Sequence, residues 1–211
     1  MRATVTYLFD PLCGWCYGAS PTIQRLALQG DIRLELAPTG LFAGGGRMMD
    51  AAFADYAWSN DLRIQKLTGQ RFSEAYRAQV LGHLGGQFDS SAATLALTAV
   101  AMTVPELELT TLGALQEARY VHGLNTSDMA VVTQLLRDVG QGAAADLLAG
   151  DTKTLLTTNA ERIQNAQRLT QEFGAQGVPT MLVTDDKGRR LLPSNMFYGA
   201  FENLLTHIAA A

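Results

Sequence analysis

Cys13 and Cys16 are the only cysteines in a chain of 211 residues, and they stand two residues apart in the stretch FDPLCGWCYGASP. Three chemistries use cysteines at that spacing. A structural disulfide across so short a loop stabilises by only about 2 kcal/mol, and a reducing cytosol does not keep it oxidised. A zinc site takes four ligands, of which one Cys-x-x-Cys supplies half. The three histidines, His83, His122 and His207, stand far apart without ligand spacing and read as surface or partly buried helix residues. A redox-active dithiol needs only one thiol placed to attack and one placed to resolve, and the pair points to that chemistry.

The surrounding elements decide whether the two thiols differ. Residues 4–9, TVTYLF, are β-branched and aromatic, and residues 32–37, IRLELA, alternate apolar and charged, so both predict strands. Between them, from about Cys13 to Gln29, apolar residues at Ile23, Leu26 and Ala27 predict a helix, which makes the segment a β-α-β unit. Cys13 then begins a helix, where unpaired backbone N–H groups and the positive end of the helix dipole favour the thiolate, the attacking species. Cys16 falls one helical turn later, more buried, and close enough to resolve a mixed disulfide.

After the loop PTGLFAGGGRMMD the composition changes. From about Asp50 to Gly150 the chain is rich in Ala and Leu, with periodic apolar positions that predict about five helices. Helix starts are expected at Asp89-Ser90-Ser91, at Thr110-Thr111 with Glu117 downstream, and at Thr126-Ser127-Asp128. A long amphipathic helix from Thr152 to Phe173 follows, ended by Gly174 and Gly177. After GVPT come a strand over Met181 to Thr184, the turn DDKG, a strand over Arg189 to Leu192, and a last helix from about Gly199 to Ile208.

Composition excludes several classes of function. A hydrophobic fraction of 47% and a charged fraction of 17% describe a folded chain, and sixteen basic against twenty acidic residues leave a net charge of −4. No basic run interleaved with aromatics follows a nucleic-acid backbone, and no stretch approaches the roughly eighteen apolar residues of a membrane span. Nucleic acid and membrane are therefore not expected as partners. The start MRATVTYLF runs directly into a strand without the h-region of a secretory signal, which, with Met1 as the natural start, predicts a cytoplasmic protein. No separate dimerisation segment is visible, so a monomer is expected.

Strand, Cys-Gly-x-Cys, a helix with proline five residues after the second cysteine, and GVPT before a later strand together resemble the thioredoxin fold. The helical block between the two halves is similar to the DsbA-like branch, and YLFDPLCGWCYGASP resembles its bacterial protein-disulfide isomerase subgroup. The resemblance implies an α/β protein, a thioredoxin fold with an inserted all-helical domain: residues 1–43 as the first half of the fold, 44–150 as the insert and 151–211 as the second half. It also implies a cis peptide bond before Pro179, with Pro179 beside Cys13. DsbA itself carries Pro-His between its cysteines, whereas this chain carries Gly14-Trp15, so a strong oxidant is not implied. Kappa-class glutathione transferases and 2-hydroxychromene-2-carboxylate isomerases share the insert but typically carry serine at the position of Cys13. They supply the alternative, a glutathione-dependent transferase or isomerase, or a module that binds glutathione or a peptide.

The function expected on these grounds is a thiol-disulfide oxidoreductase with Cys13 and Cys16 catalytic. Pro179 shapes the substrate groove, Val178 offers backbone hydrogen bonds to an extended substrate, and Trp15 covers the sulfur. Substrates are protein or small-thiol disulfides; no cofactor is bound, with glutathione or thioredoxin as redox co-substrate. A thioredoxin-like potential of roughly −270 mV lies above the cytosolic glutathione poise of about −280 to −320 mV given by probes, so the dithiol rests reduced and the expected direction is reduction or isomerisation. Asp10 has two readings, a proton acceptor during exchange or the cap of a turn with Pro11. Weaker features take ordinary readings. AGGGR (residues 43–47) is a flexible loop that lacks phosphate-loop spacing, Asn125-Thr126-Ser127 contains a helix cap at Thr126 or Ser127 rather than a glycosylation site, and Met48 and Met49 fill core gaps.

Overall fold

A computed structural model describes residues 3–150 and 152–209 of the chain. The first strand, β1 (Ala3–Phe9), runs through α1 (Gly14–Ala27) to β2 (Ile32–Pro38), and β1 and β2 pair in parallel with Val5 opposite Leu34. The helical segment opens with the two-residue strand β3 (Arg47–Met48) and α2 (Ala51–Thr68). Next come α3 (Glu74–Tyr76), continuing as a π-helical turn over Arg77–Leu81, then β4 (Gln87–Phe88) and α4 (Ser91–Thr103). It closes with α5 (Glu108–Tyr120), α6 (Met129–Asp138) and α7 (Gly142–Ala149). The chain then returns through α8 (Lys153–Glu172) to β5 (Thr180–Asp185), β6 (Gly188–Leu191) and α9 (Phe201–Ala209). The four-stranded sheet has the order β2-β1-β5-β6, with β5 antiparallel to β1 and β6 antiparallel to β5. This is a thioredoxin fold of the DsbA-like kind. The boundary expected between residues 150 and 151 falls on Asp151, outside the described residues.

Burial follows the residue pattern. β1 lies in the middle of the sheet and its last five residues are buried on both faces, which suits the apolar run of this strand. α4 is built from Ala, Thr, Leu and Val, and residues 92–100 are all buried. A helix apolar all round is a core helix, and α5, α6, α7 and α8 pack against it.

α1 carries Pro21 in its interior, and a proline there leaves the carbonyl four residues earlier without its N–H partner. That carbonyl belongs to Tyr17, and the Gln70 side chain donates to it at 3.1 Å. Two glycines on α1 set its distance from α2. A Cβ at Gly18 would stand 2.6 Å from Cγ2 of Ile64, and one at Gly14 would stand 2.6 Å from Oδ1 of Asp61. The first turn of α1 therefore seats against α2 with no room for a larger side chain.

Several local expectations are corrected. The segment after Gly150 begins as expected, with Thr152 capping α8 through Leu155 N–H. α5, however, starts at Glu108 and not at Thr110-Thr111, because a 3₁₀ turn over Pro105–Leu107 leads straight into it and Thr111 is buried against Gln141. α6 is capped by Asp128, which accepts from Ala130 N–H, while Ser127 accepts from Asp89 N–H and Thr126 is buried. At α4 the Ser90 hydroxyl makes no cap bond, and Asp89 accepts from Ser91 N–H in its place. The loop expected over residues 43–47 ends in the β3–β4 ribbon, where Arg47 pairs with Phe88. Met48 is half exposed and Met49 is buried, so only the second fills core space. The helical segment holds six α-helices, one more than periodicity predicts, and α9 begins at Phe201 after a 3₁₀ turn over Ser194–Phe197.

Candidate active site

Cys13 is the N-cap of α1, with extended backbone (φ −82°, ψ 116°). Its N–H donates to Asp10 O at 3.1 Å and its carbonyl accepts from Tyr17 N–H at 3.0 Å. No side chain caps the helix and no acidic residue lies in its first turn, so the first N–H groups of α1 have no side-chain cap beside Cys13. Cys16 is fully buried one turn on, whereas Cys13 retains 7% of its surface, and both are free thiols. Burial pushes the Cys16 thiol well above its ordinary range, and the neighbouring Cys13 adds to the push. The two sulfurs are thus unequal, one on a residue that retains a small exposed area and one fully buried beneath it and held toward its protonated form.

The second half of the fold reaches the same point through strand register. Leu8 pairs with Thr180, so the residues preceding β5 lie beside the end of β1 and the turn that leads to Cys13. There the Val178–Pro179 bond is cis, Gly177 has φ 148°, and the Cys13 thiol donates to the Val178 carbonyl at 3.6 Å. Trp15, Val178, Pro179, Leu192 and Tyr198 line a cavity of about 560 Å³ beside this contact. A larger cavity of about 1230 Å³ runs along α1, β2 and α5 and includes neither cysteine. The predicted site residues Cys13, Cys16, Trp15, Val178 and Pro179 all converge on the end of β1. Among the described residues no group of three or more His, Cys, Asp or Glu side chains converges as a metal site.

The backbone of the dithiol turn is held by three tyrosines that the sequence did not single out. Tyr120 donates to Leu12 O at 2.8 Å, Tyr198 to Trp15 O at 3.0 Å and Tyr7 to Cys16 O at 3.4 Å. Burial raises the phenols of all three, which keeps them as donors. Tyr198 also meets the Trp15 indole edge-on, with ring centroids 5.5 Å apart, so the indole is braced along the groove. No motif marks such residues, because their hydroxyls act across 9, 108 and 183 positions of sequence.

Asp10 is fully buried. Its Oδ1 accepts from Leu12 N–H at 2.9 Å, and its Oδ2 accepts from Phe42 N–H at 3.1 Å and from the Ser90 hydroxyl at 2.8 Å. Burial raises its titration, and these hydrogen bonds oppose the rise. Of its two readings, the hydrogen bonds carry that of the turn cap, extended by a tie to α4. By its sequence Ser90 marks only a helix start.

A mixed sheet entered through a Cys-x-x-Cys helix N-terminus, facing a cis-proline loop and filled out with helices, defines the DsbA-like thiol-disulfide oxidoreductases. The chain belongs to the DSBA-like thioredoxin domain family, whose model matches residues 4–206. It is similar to the cytosolic disulfide reductase DsbM from Pseudomonas aeruginosa, at 28% identity and a TM-score of 0.87, covering 99% of this chain and 100% of that one. The structure of the same reductase with GSH superposes at a TM-score of 0.84, with 28% identity and 98% of each chain covered. Reduced DsbA1 from Neisseria meningitidis shares the fold, at 16% identity and a TM-score of 0.55, over 99% of this chain and 81% of that one. No curated protein matches the chain. None of the described helices is long and apolar enough to cross a membrane.

Proposed function

We propose that the protein is a disulfide reductase in which Cys13 is the nucleophile and Cys16 the resolving thiol. The carrying observation is the inequality of the two sulfurs: Cys13 lies at the helix N-terminus against the Val178 carbonyl, and Cys16 is sealed beneath it. The Cys13 thiolate attacks one sulfur of a substrate disulfide, forming a mixed disulfide and releasing the first substrate thiolate. Cys16 then loses its proton and attacks the Cys13 sulfur, releasing the second substrate thiolate and leaving Cys13–Cys16 oxidised by two electrons. Two glutathione thiols restore the dithiol and leave as glutathione disulfide.

The similarity to a cytosolic disulfide reductase, with a structure that holds GSH, supports glutathione as co-substrate and the cytosol as the place of action. Trp15 and Pro179 form the walls of the substrate groove, and the Val178 backbone pairs with an extended substrate once the Cys13 thiol has left its carbonyl. Residues 44–150 act as the inserted helical unit of a monomer.

Equilibration in glutathione buffers of graded ratio, followed by a count of free thiols, tests the reading. One reversible two-electron transition is expected. Glutathione binding without change in thiol count would replace the reductase with the glutathione-binding alternative. In the same assay Cys13→Ser loses reduction of a disulfide substrate, and Cys16→Ser accumulates a mixed disulfide visible as a mass increase on Cys13. Trapping on Cys16 in the Cys13→Ser protein would reverse the roles.

A further inference from the structure

Asp61 lies on α2, in the helical segment, yet its carboxyl reaches the dithiol turn. A Cβ at Gly14 would come within 2.6 Å of Asp61 Oδ1, so this oxygen rests against the first residue of α1, between the two cysteines. The position is the electropositive end of the helix, where the first N–H groups have no partner within the helix. We infer that Asp61 is a positioning residue of the dithiol, whose negative charge competes with the Cys13 thiolate for the N-terminus of α1 and so makes the Cys13–Cys16 couple more reducing. The inference rests on the redox reading of the site.

The surroundings of Asp61 leave its charge largely uncompensated. It is 5% exposed, and its Oδ2 accepts a hydrogen bond from the Tyr76 hydroxyl at 3.1 Å. The groups around it are Tyr76 on α3 and Arg119 and Tyr120 on α5; Asp61 and Cys13 both act on the buried Tyr120 phenol, and Asp10, which shares Arg119 with Asp61, acts on Cys16. Arg119 is the one cation among them, and it makes no ion pair among the described residues. Its guanidinium instead lies over the rings of Tyr76 and Phe88, at 5.7 and 5.5 Å, with Nε and Nη1 unpartnered. Burial therefore pushes the Asp61 carboxyl up to about 7, with Tyr76 and Arg119 opposing the rise. Asp61 is neutral in mild acid and anionic above neutrality.

This also accounts for glycine at position 14. Where DsbA carries proline between its cysteines, the space here is occupied by Asp61 Oδ1 and Ile64 Cδ1. The glycine and the carboxyl fit one another.

The couple is protein disulfide plus two glutathione thiols, giving protein dithiol plus glutathione disulfide. Two electrons enter the Cys13–Cys16 bond, and the two glutathione protons pass to the new thiols or, where Cys13 stays a thiolate, to solvent. An anion beside Cys13 destabilises the product side. The test is the glutathione equilibrium constant of the wild type, Asp61→Asn and Tyr76→Phe from about pH 5 to about pH 9, a span that brackets the titration. Asp61→Asn is expected to favour the dithiol about tenfold above neutrality, roughly 30 mV for a two-electron couple, and to match the wild type at the acid end. Tyr76→Phe removes the hydroxyl that favours the anion and moves the onset of the wild-type effect to higher pH.

A merely structural role would shift melting temperature and leave this pH dependence in place. A gap between wild type and Asp61→Asn that is constant with pH, or no gap, overturns the inference. If Asp61→Asn does not fold, the onset in Tyr76→Phe decides alone, a rise supporting Asp61 and an unmoved onset excluding it. A wild type with no thiol-disulfide transition removes the redox reading and this inference with it, whereas a normal wild-type transition with an unaffected variant removes only the inference.

Discussion

Asp10 and Asp61 are both buried carboxyls near the dithiol, and they differ in what supports them. Asp10 accepts three hydrogen bonds, from Leu12 N–H, Phe42 N–H and the Ser90 hydroxyl, whereas Asp61 accepts one, from Tyr76. Replacing Asp10 with Ala strands two buried donors and one partly buried donor, and a loss of about 2–4 kcal/mol is expected in urea unfolding. A loss under roughly 0.5 kcal/mol would show that the turn does not depend on it. Asp61 carries a pH signature. Its folded value of about 7 stands above the ordinary 3.8, so between these values the folded state holds a proton that the unfolded state has released. That contribution to stability is complete below about pH 4 and is lost as pH rises through about 7. The wild type is therefore expected to lose on the order of a few kcal/mol relative to Asp61→Asn between about pH 4 and about pH 8. Urea midpoints of the two proteins across that range measure it, and parallel curves would mean that Asp61 titrates normally in the fold.

At the scale of elements, the contact between α1 and α2 is set by small residues opposite Ile64. Gly18→Ala places a Cβ 2.6 Å from Ile64 Cγ2, in a contact where backbone or branch must give way. Overpacking of this kind costs roughly 1–3 kcal/mol. Ile64→Ala alone leaves a cavity at a buried site and costs about 2–5 kcal/mol. The two changes together are expected to cost less than their sum by about 1 kcal/mol, because each relieves the other. A strictly additive double-mutant cycle would place Gly18 and Ile64 out of contact. The helix α1 was legible in FDPLCGWCYGASP, including the proline that interrupts its ladder. The partner that repairs the interruption, Gln70, was not, since the repair depends on where the chain returns after α2.

The whole molecule is joined through α8. Arg162 on this helix donates to Glu108 on α5, to the Thr98 hydroxyl on α4 at 3.1 Å and to Leu36 O on β2 at 3.4 Å, tying the helical segment to the sheet. Burial raises the Glu108 carboxyl and the Arg162 charge lowers it. Arg162→Leu leaves a partly buried carboxyl without its cation, and a loss of roughly 3–5 kcal/mol is expected. Without the arginine the Glu108 carboxyl titrates higher still, so the deficit grows as pH rises through the carboxylate range. Thermal melts of Arg162→Leu at acid and neutral pH measure it. A deficit equal at both would show that Glu108 is not the group left uncompensated.

What the sequence determined by itself was local and periodic. The spacing of Cys13 and Cys16, the strand before them and the helix after them follow from residue types within one turn of each other, and GVPT marks the loop at Pro179 by its own composition. Alternation and helical period told which face of each element is apolar, and that was enough for a DsbA-like architecture. It was not enough for helix starts such as Glu108 and Asp128, where Thr, Ser and Asp compete as caps and packing selects among them. The tertiary structure alone decided which side chains complete the site. Asp61 against Gly14, Ser90 on Asp10, and the hydroxyls of Tyr7, Tyr120 and Tyr198 on the dithiol turn join residues from 9 to 183 positions apart. Periodicity records that a residue points inward; which partner it meets there depends on how the helices stack on the sheet, and that is fixed only when the whole chain has packed.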